Sequence, residues 1–195
     1  MAIEPEKIKQ LREMTSAGML DCKKALEETG GDIKKSADLL REKGIIKAVK
    51  KMERAASEGR LFSYVHHNGK LATLVELNCE TDFVAKNEMF QELGKNIAMH
   101  IAASAPLYVN SENVPQDEID KETEIQKAAL EQEGKPANVI EKILEGKIKK
   151  YVSEITLLEQ PFVKEPSMTV FDLIKETISK TGENISVGRF IRYTI

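Results

Sequence analysis

Asn68-Gly69 lies between two runs in which apolar residues alternate, Leu61 to His67 and Leu71 to Cys79. Alternation is the period of a strand. Asn-Gly between two such runs is the strongest short-range hairpin signal, because a two-residue mirror-image turn needs positive φ at both positions. The spacing predicts pairing of His66 with Leu71, Tyr64 with Thr73 and Phe62 with Val75. These residues, with Leu77 and Cys79, share the more apolar face, which is expected to pack on helices. A two-stranded ribbon is marginal alone in water. The run Val187 to Ile195 supplies the obvious third strand. The fold class expected is therefore α+β, with a small antiparallel sheet of about three strands packed with helices and a helical hairpin.

The helical period dominates elsewhere. Pro5 suits a first turn, Ile8 and Leu11 follow, and Gly18 stops the segment. Leu20, Ala25 and Leu26 mark a second helix that ends at Gly30-Gly31. Asp32 is a natural N-cap for a third, with Ile33, Ala37 and Leu40 on one face and Gly44 as its stop. Such short turns require a compact three-helix module, read as residues 1–45. Residues 46–59 have a thin apolar stripe and a basic run that reads as a solvated face; they are taken as a connector. Residues 60–195 form the remaining core domain. Within it Phe83, Phe90, Leu93, Ile97 and Ile101 recur as one amphipathic stripe. Residues 117–132, the break at Gly134-Lys135-Pro136, and the run Ile140, Leu144, Ile148, Tyr151, Ile155 and Leu158 describe the helical hairpin. Pro161 and Pro166 bound an irregular stretch, and Val170, Leu173, Ile174 and Ile178 mark a last helix before Gly182.

Composition narrows the function. The 195 residues carry 29 Lys and Arg against 32 Asp and Glu. This balance argues against direct nucleic-acid binding. No run of 18 apolar residues spans a membrane, and Met1-Ala2-Ile3-Glu4-Pro5 has no apolar leader core. Two cysteines, Cys22 and Cys79, suit a reducing cytoplasm better than a disulfide framework. No glycine-rich phosphate cradle is present and no cofactor is expected. His66 and His67, adjacent on a strand, are expected to point to opposite faces and so not to share a metal. His100 is expected at a partly exposed helical position. Cys79 stands beside Glu80 and Asp82, whose charges oppose thiolate formation, so an enzyme built on it is the weakest reading.

Two stretches stand out. In Asn78-Cys79-Glu80-Thr81-Asp82-Phe83-Val84-Ala85-Lys86-Asn87, a strand passes into a helix with an acid beside an aromatic. Thr81 or Asp82 caps that helix, and Phe83 is either a buried staple or a tip presented to a partner. Near the N-terminus, Met19-Leu20 follows a glycine turn. The pair either fills the helical core or forms an adaptable apolar docking patch.

The run from Leu11 to Leu26, Leu-Arg-Glu-Met-Thr-Ser-Ala-Gly-Met-Leu-Asp-Cys-Lys-Lys-Ala-Leu, resembles the N-terminal signature of the elongation factor Ts family. Glu76 to Asn87, Gln160-Pro161-Phe162-Val163 and Gly188 to Tyr193 resemble further elements of that family in the same order. The resemblance implies a guanine-nucleotide exchange factor, without covalent chemistry and so not an enzyme, acting on the GTPase elongation factor Tu. It implies that the N-terminal module has a ubiquitin-associated-like fold and docks on the GTPase through Lys9, Arg12, Met19 and Leu20. Leu20 stands where some relatives carry a second Met, which keeps the patch apolar. It implies that Thr81, Asp82, Phe83 and Val84 wedge beside the partner's magnesium site and dislodge the ion. The chain resembles the short form with one core subdomain, for which a homodimer and a two-plus-two complex are implied. The rival reading is a non-catalytic adaptor, a ubiquitin-associated-like module joined to a dimerisation domain; it leaves Thr81 to Val84 without a role.

Overall fold

The computed structural model describes residues 3–15 and 17–195. Met1, Ala2 and Ser16, which belong to the N-terminal segment and first motif above, lie outside the described residues, as do the side chains of Ile45, Ala137 and Asn138. The chain divides into two compact units. One comprises Met1–Arg60, Leu77–Leu93 and Asp172–Ser186; the other comprises Leu61–Glu76, Gly94–Phe171 and Val187–Ile195.

The first unit opens with α1 (Pro5–Thr15), α2 (Met19–Glu28) and α3 (Ile33–Lys51). Pro5 is the first helical residue, where its missing amide would have had no partner anyway. Asp32 caps α3 by accepting from the Lys35 amide at 3.0 Å. Leu11, Cys22, Ala25 and Leu26 form the buried centre of the three helices, flanked by Ile8, Ile33, Ala37 and Leu40. Each fully buried Leu contributes roughly 1.5–3 kcal/mol.

The third helix does not end at Gly44. It continues to Lys51, so the first part of the expected connector is helical. Gly44 is a close-approach position rather than a stop: a Cβ there would lie 2.4 Å from the Ser179 hydroxyl oxygen. A glycine can be selected for missing bulk as well as for left-handed backbone, and sequence does not tell the two apart.

The three-stranded sheet has the order β1 (Glu58–Val65), β2 (Leu71–Cys79), β5 (Ile185–Thr194), antiparallel throughout. The register at the hairpin end is the expected one, since the His66 amide donates to the Leu71 carbonyl at 2.8 Å. The turn is not the mirror-image type. Gly69 has φ of 68°, whereas Asn68 is not in the left-handed region, and the His66 carbonyl accepts from the Gly69 amide. Asn68 instead accepts from the Lys70 amide through its side chain at 3.0 Å, a local bond that stabilises an ordinary turn closed by a left-handed glycine. His67 therefore falls in the turn and His66 just past the end of β1. Strand alternation does not apply to them, and their rings come to 4.2 Å between centroids instead of facing opposite ways.

In the second unit the apolar face of the hairpin packs on α5 (Glu88–Ser104). Phe62 lies so close to Gly94 that a Cβ there would meet its ring at 2.2 Å, and the Thr73 hydroxyl donates to the Ala98 carbonyl at 2.8 Å. Arg192 on β5 donates through Nε to the Ala102 carbonyl at 3.2 Å. Helices α6 (Gln116–Gln132) and α7 (Ala137–Ile155) form the expected hairpin around Gly134, which has φ of 72°. The helix stops at Ile155 rather than Leu158 because Thr156 turns extended and bridges to Tyr108. At the root of this hairpin the Tyr108 and Tyr151 hydroxyls both donate to the Glu118 carboxylate, at 2.5 and 3.0 Å. The stretch around Pro161 and Pro166 is not irregular. It forms a small antiparallel pair, β3 (Pro161–Phe162) with β4 (Glu165–Thr169), leading into α8 (Val170–Thr181).

His100 is wholly buried, contrary to the expected partial exposure. Its Nδ1 accepts from the Val163 amide at 3.2 Å and its Nε2 meets the Gln160 side-chain oxygen at 2.9 Å. Burial holds its pKa below the ordinary 6.5, only partly offset by Gln160. The residues that bury it come from the β3 region, which helical periodicity around position 100 does not reveal.

Candidate functional site

The strand β2 ends at Cys79, and the chain enters α4, a single turn from Asp82 to Ala85. Thr81 is its N-cap, in extended conformation, with its hydroxyl oxygen 3.4 Å from the Val84 amide. Val84 and Ala85 are buried and anchor the turn. Phe83 points the other way and is 81% exposed. It is neither a staple nor a core residue, and it does not belong to the Phe90, Leu93, Ile97, Ile101 stripe on α5. A four-residue helix cannot bury side chains on every face; the two aliphatic residues took the inner one. Asp82, also exposed, is bridged by Lys86 at 2.6 Å, and that hydrogen bond holds its carboxyl below the usual range. The four residues therefore split into an exposed pair, Asp82 and Phe83, and a supporting pair, Thr81 and Val84.

The turn is held from a distance. Glu183 accepts from the Thr81 amide at 3.0 Å and from the Thr81 hydroxyl at 2.7 Å. Next to each, Glu80 accepts from the Asn184 amide at 2.6 Å. The Asn184 side-chain amide donates to the Met52 and Arg54 carbonyls, at 3.3 and 2.6 Å, and Arg54 lies 3.6 Å from Glu80. The Cys79 thiol donates to the Thr81 carbonyl at 3.1 Å. Burial, then the nearby Glu183 carboxylate, push that thiol's pKa up, which disfavours the thiolate. Sequence reasoning missed Glu183 and Asn184. They stand about a hundred positions from Thr81, and nothing local to Gly182-Glu183-Asn184 signals the contact.

A second exposed group lies on the three-helix module. Met19 and Leu20, the first residues of α2, are 60% and 74% exposed, so they do not fill the core. Lys9 and Arg12 are exposed on α1, one helical turn apart. Met14 is also exposed, near the end of the same helix. The structure thus gives Lys9, Arg12, Met19 and Leu20 to the module surface and Thr81 to Val84 to the turn after β2. Both groups belong to the first unit.

A third surface belongs to the second unit. The sheet face turned away from α5 leaves Leu61, Val65, Leu74, Ile191 and Tyr193 exposed. Among the described residues no three metal-ligating side chains converge, and no helix is long and apolar enough to cross a membrane.

Comparison with known proteins places these features in context. The family sequence model described as Elongation factor TS matches residues 2–195. An elongation factor Ts of Leptospira biflexa is 56% identical over 195 residues, covering 100% of this chain and 98% of the relative. One from Nitratidesulfovibrio vulgaris is 54% identical over 192 residues, covering 98% and 96%. One from Carboxydothermus hydrogenoformans is 52% identical over 193 residues, covering 99% and 89%.

Proposed function

The chain belongs to the elongation factor Ts family, and from that premise we propose that it binds elongation factor Tu carrying GDP and promotes release of the nucleotide by displacing magnesium. The observation that carries this reading is the exposure of Phe83, 81%, beside the exposed Asp82 on a capped turn that the buried Val84 and Ala85 anchor. A single exposed apolar residue is common on protein surfaces; what sets Phe83 apart is that a large aromatic is presented on a capped turn inside the family motif, where it is free to enter a partner. The adaptor reading leaves it unexplained.

The physics is a coupling between two bound states. A P-loop GTPase holds GDP partly through magnesium that bridges phosphate and protein ligands. Loss of the ion leaves the phosphate charge poorly compensated, and nucleotide affinity falls. A factor that binds the nucleotide-free GTPase best weakens nucleotide binding, and nucleotide weakens the factor's binding by the same ratio. No bond is made or broken, so the chain speeds exchange without being an enzyme in the covalent sense.

The proposed organisation is a ubiquitin-associated-like docking module over residues 1–45, a connector over 46–59 whose first part continues α3, and a core over 60–195. Lys9, Arg12, Met19 and Leu20 dock on the GTPase. Thr81 and Val84 hold the turn from which Asp82 and Phe83 reach the magnesium site. The exposed apolar sheet face supports a homodimer through the core and a two-plus-two complex. The setting is the cytoplasm, where translation elongation takes place.

The test is release of labelled GDP from elongation factor Tu at increasing concentrations of the chain. Release should accelerate to a plateau, and elevated magnesium should lower that plateau more for Phe83→Ala than for the natural chain, because the ion competes for the state that the wedge opposes. Release that stays at the unassisted rate at all concentrations rules the reading out and leaves the adaptor.

A further inference from the structure

We propose that Glu183 is the positioning residue of the Thr81–Val84 wedge, a role that rests on the exchange-factor reading above. Phe83 is 81% exposed, so packing does little to orient it and its direction is set chiefly by the backbone of a single helical turn. A lone turn is poor at holding itself, because its first hydrogen bond must order several residues at once. Helices commonly solve this with a Glu or Gln at the third helical position, which reaches back to the N-cap amide. In this chain that position is Val84, which is buried and has no side-chain acceptor.

Glu183 takes over the missing half of the box from across the fold. One carboxylate oxygen accepts the Thr81 amide and the other accepts the Thr81 hydroxyl. A hydroxyl has one hydrogen to give. With that hydrogen committed to Glu183, the Thr81 oxygen can present only lone pairs to the Val84 amide, which is what an N-cap requires. The same segment then ties the turn to the end of α3, since Asn184 bonds Glu80 through its backbone and the Met52 and Arg54 carbonyls through its side chain. The consequence is a wedge preorganised before any partner arrives. Loss of the clamp lets the turn sample other conformations, and only the competent fraction acts on the partner.

The experiment compares Glu183→Ala, Glu183→Gln, Thr81→Val, Thr81→Ser and Phe83→Ala in the full chain. It reads labelled GDP release from elongation factor Tu over a range of factor concentrations, and hydrogen exchange at the Val84 amide. Glu183→Ala and Thr81→Val should each lower the saturated release rate, by about ten-fold, and speed Val84 exchange, while the half-saturating concentration moves by less than about two-fold. The double variant should be no slower than the worse single, because both remove one clamp. Thr81→Ser, which keeps the hydroxyl, should retain the natural rate, and Glu183→Gln, with one acceptor oxygen, should fall between. A slow Phe83→Ala together with a Glu183→Ala of natural rate and natural Val84 protection overturns the positioning role alone. A Phe83→Ala with the natural saturated rate overturns the wedge and the positioning role together. A Glu183→Ala whose rate falls only in proportion to its folded fraction assigns the residue to stability and removes it from the exchange step.

Discussion

The proposed docking surface on α1 and α2 and the proposed wedge on α4 both expose large apolar side chains, yet they are supported in opposite ways. Met14, Met19 and Leu20 ride on helices whose other faces bury Leu11, Cys22, Ala25 and Leu26. Their frame is stable whether or not any one surface residue is present. Phe83 rides on one turn, held by two buried aliphatic residues and a carboxylate from a distant segment. The difference teaches how the work divides. A broad patch on a stable frame suits affinity, because each side chain adds contact area. A single aromatic on a clamped turn suits rate, because its effect depends on geometry held in one state of the partner.

The sharpest way to break this comparison is to truncate two phenylalanines seven positions apart. Phe90, fully buried on α5, should cost about 3–5 kcal/mol of stability as Phe90→Ala. Phe83→Ala leaves no cavity. Its unfolding free energy should stay within about 0.5 kcal/mol of the natural chain, while GDP release at saturating factor slows. Thermal melting and single-turnover release give both quantities. A large melting loss for Phe83→Ala with an unchanged plateau would return Phe83 to a structural role.

The patch should answer differently. Met19→Ala combined with Leu20→Ala is expected to weaken the complex by about 2 kcal/mol or more, seen as a higher half-saturating concentration with the plateau intact. A lowered plateau at saturation would show that the patch also takes part in the open state and would blur the division. The proposed pairing surface offers a third contrast. Leu74→Glu together with Tyr193→Lys places charge on the exposed sheet face and should convert a dimer to monomer in sedimentation at micromolar concentration. A natural chain already monomeric at that concentration and fully active refutes the homodimer.

The smallest effect expected is a pH dependence from His100. Its folded pKa lies below the unfolded value of about 6.5, so the unfolded chain binds the extra proton more readily. The stability of the neutral, buried form is complete above that unfolded value and is lost as pH falls below it towards the folded one. Denaturant midpoints should drop between pH 7 and 5, and His100→Gln should flatten the drop. An equal slope in the variant would assign the acid sensitivity to other groups.

Much of this chain was determined by sequence alone. The hairpin around Asn68-Gly69, the third strand at the C-terminus, the three short helices and the helical hairpin all follow from local periods and breakers, because backbone geometry imposes those periods wherever one face is buried. The family motifs marked Met19, Leu20 and Thr81 to Val84 as residues of interest. Only the tertiary structure decided which of them face outward. From spacing, Phe83 joins the stripe of Phe90 and Leu93; in the fold a break between α4 and α5 turns it away. Gly44 read as a helix stop, but Ser179 in the neighbouring helix explains why no side chain fits there. His100 read as partly exposed, but Gln160 and Val163 enclose it. Glu183 carried no signal at all until the fold brought it to Thr81. The physical reason is common to all four. Local pattern records what a residue can do within its own element, whereas burial, missing space and long-range hydrogen bonds are properties of what another element places against it.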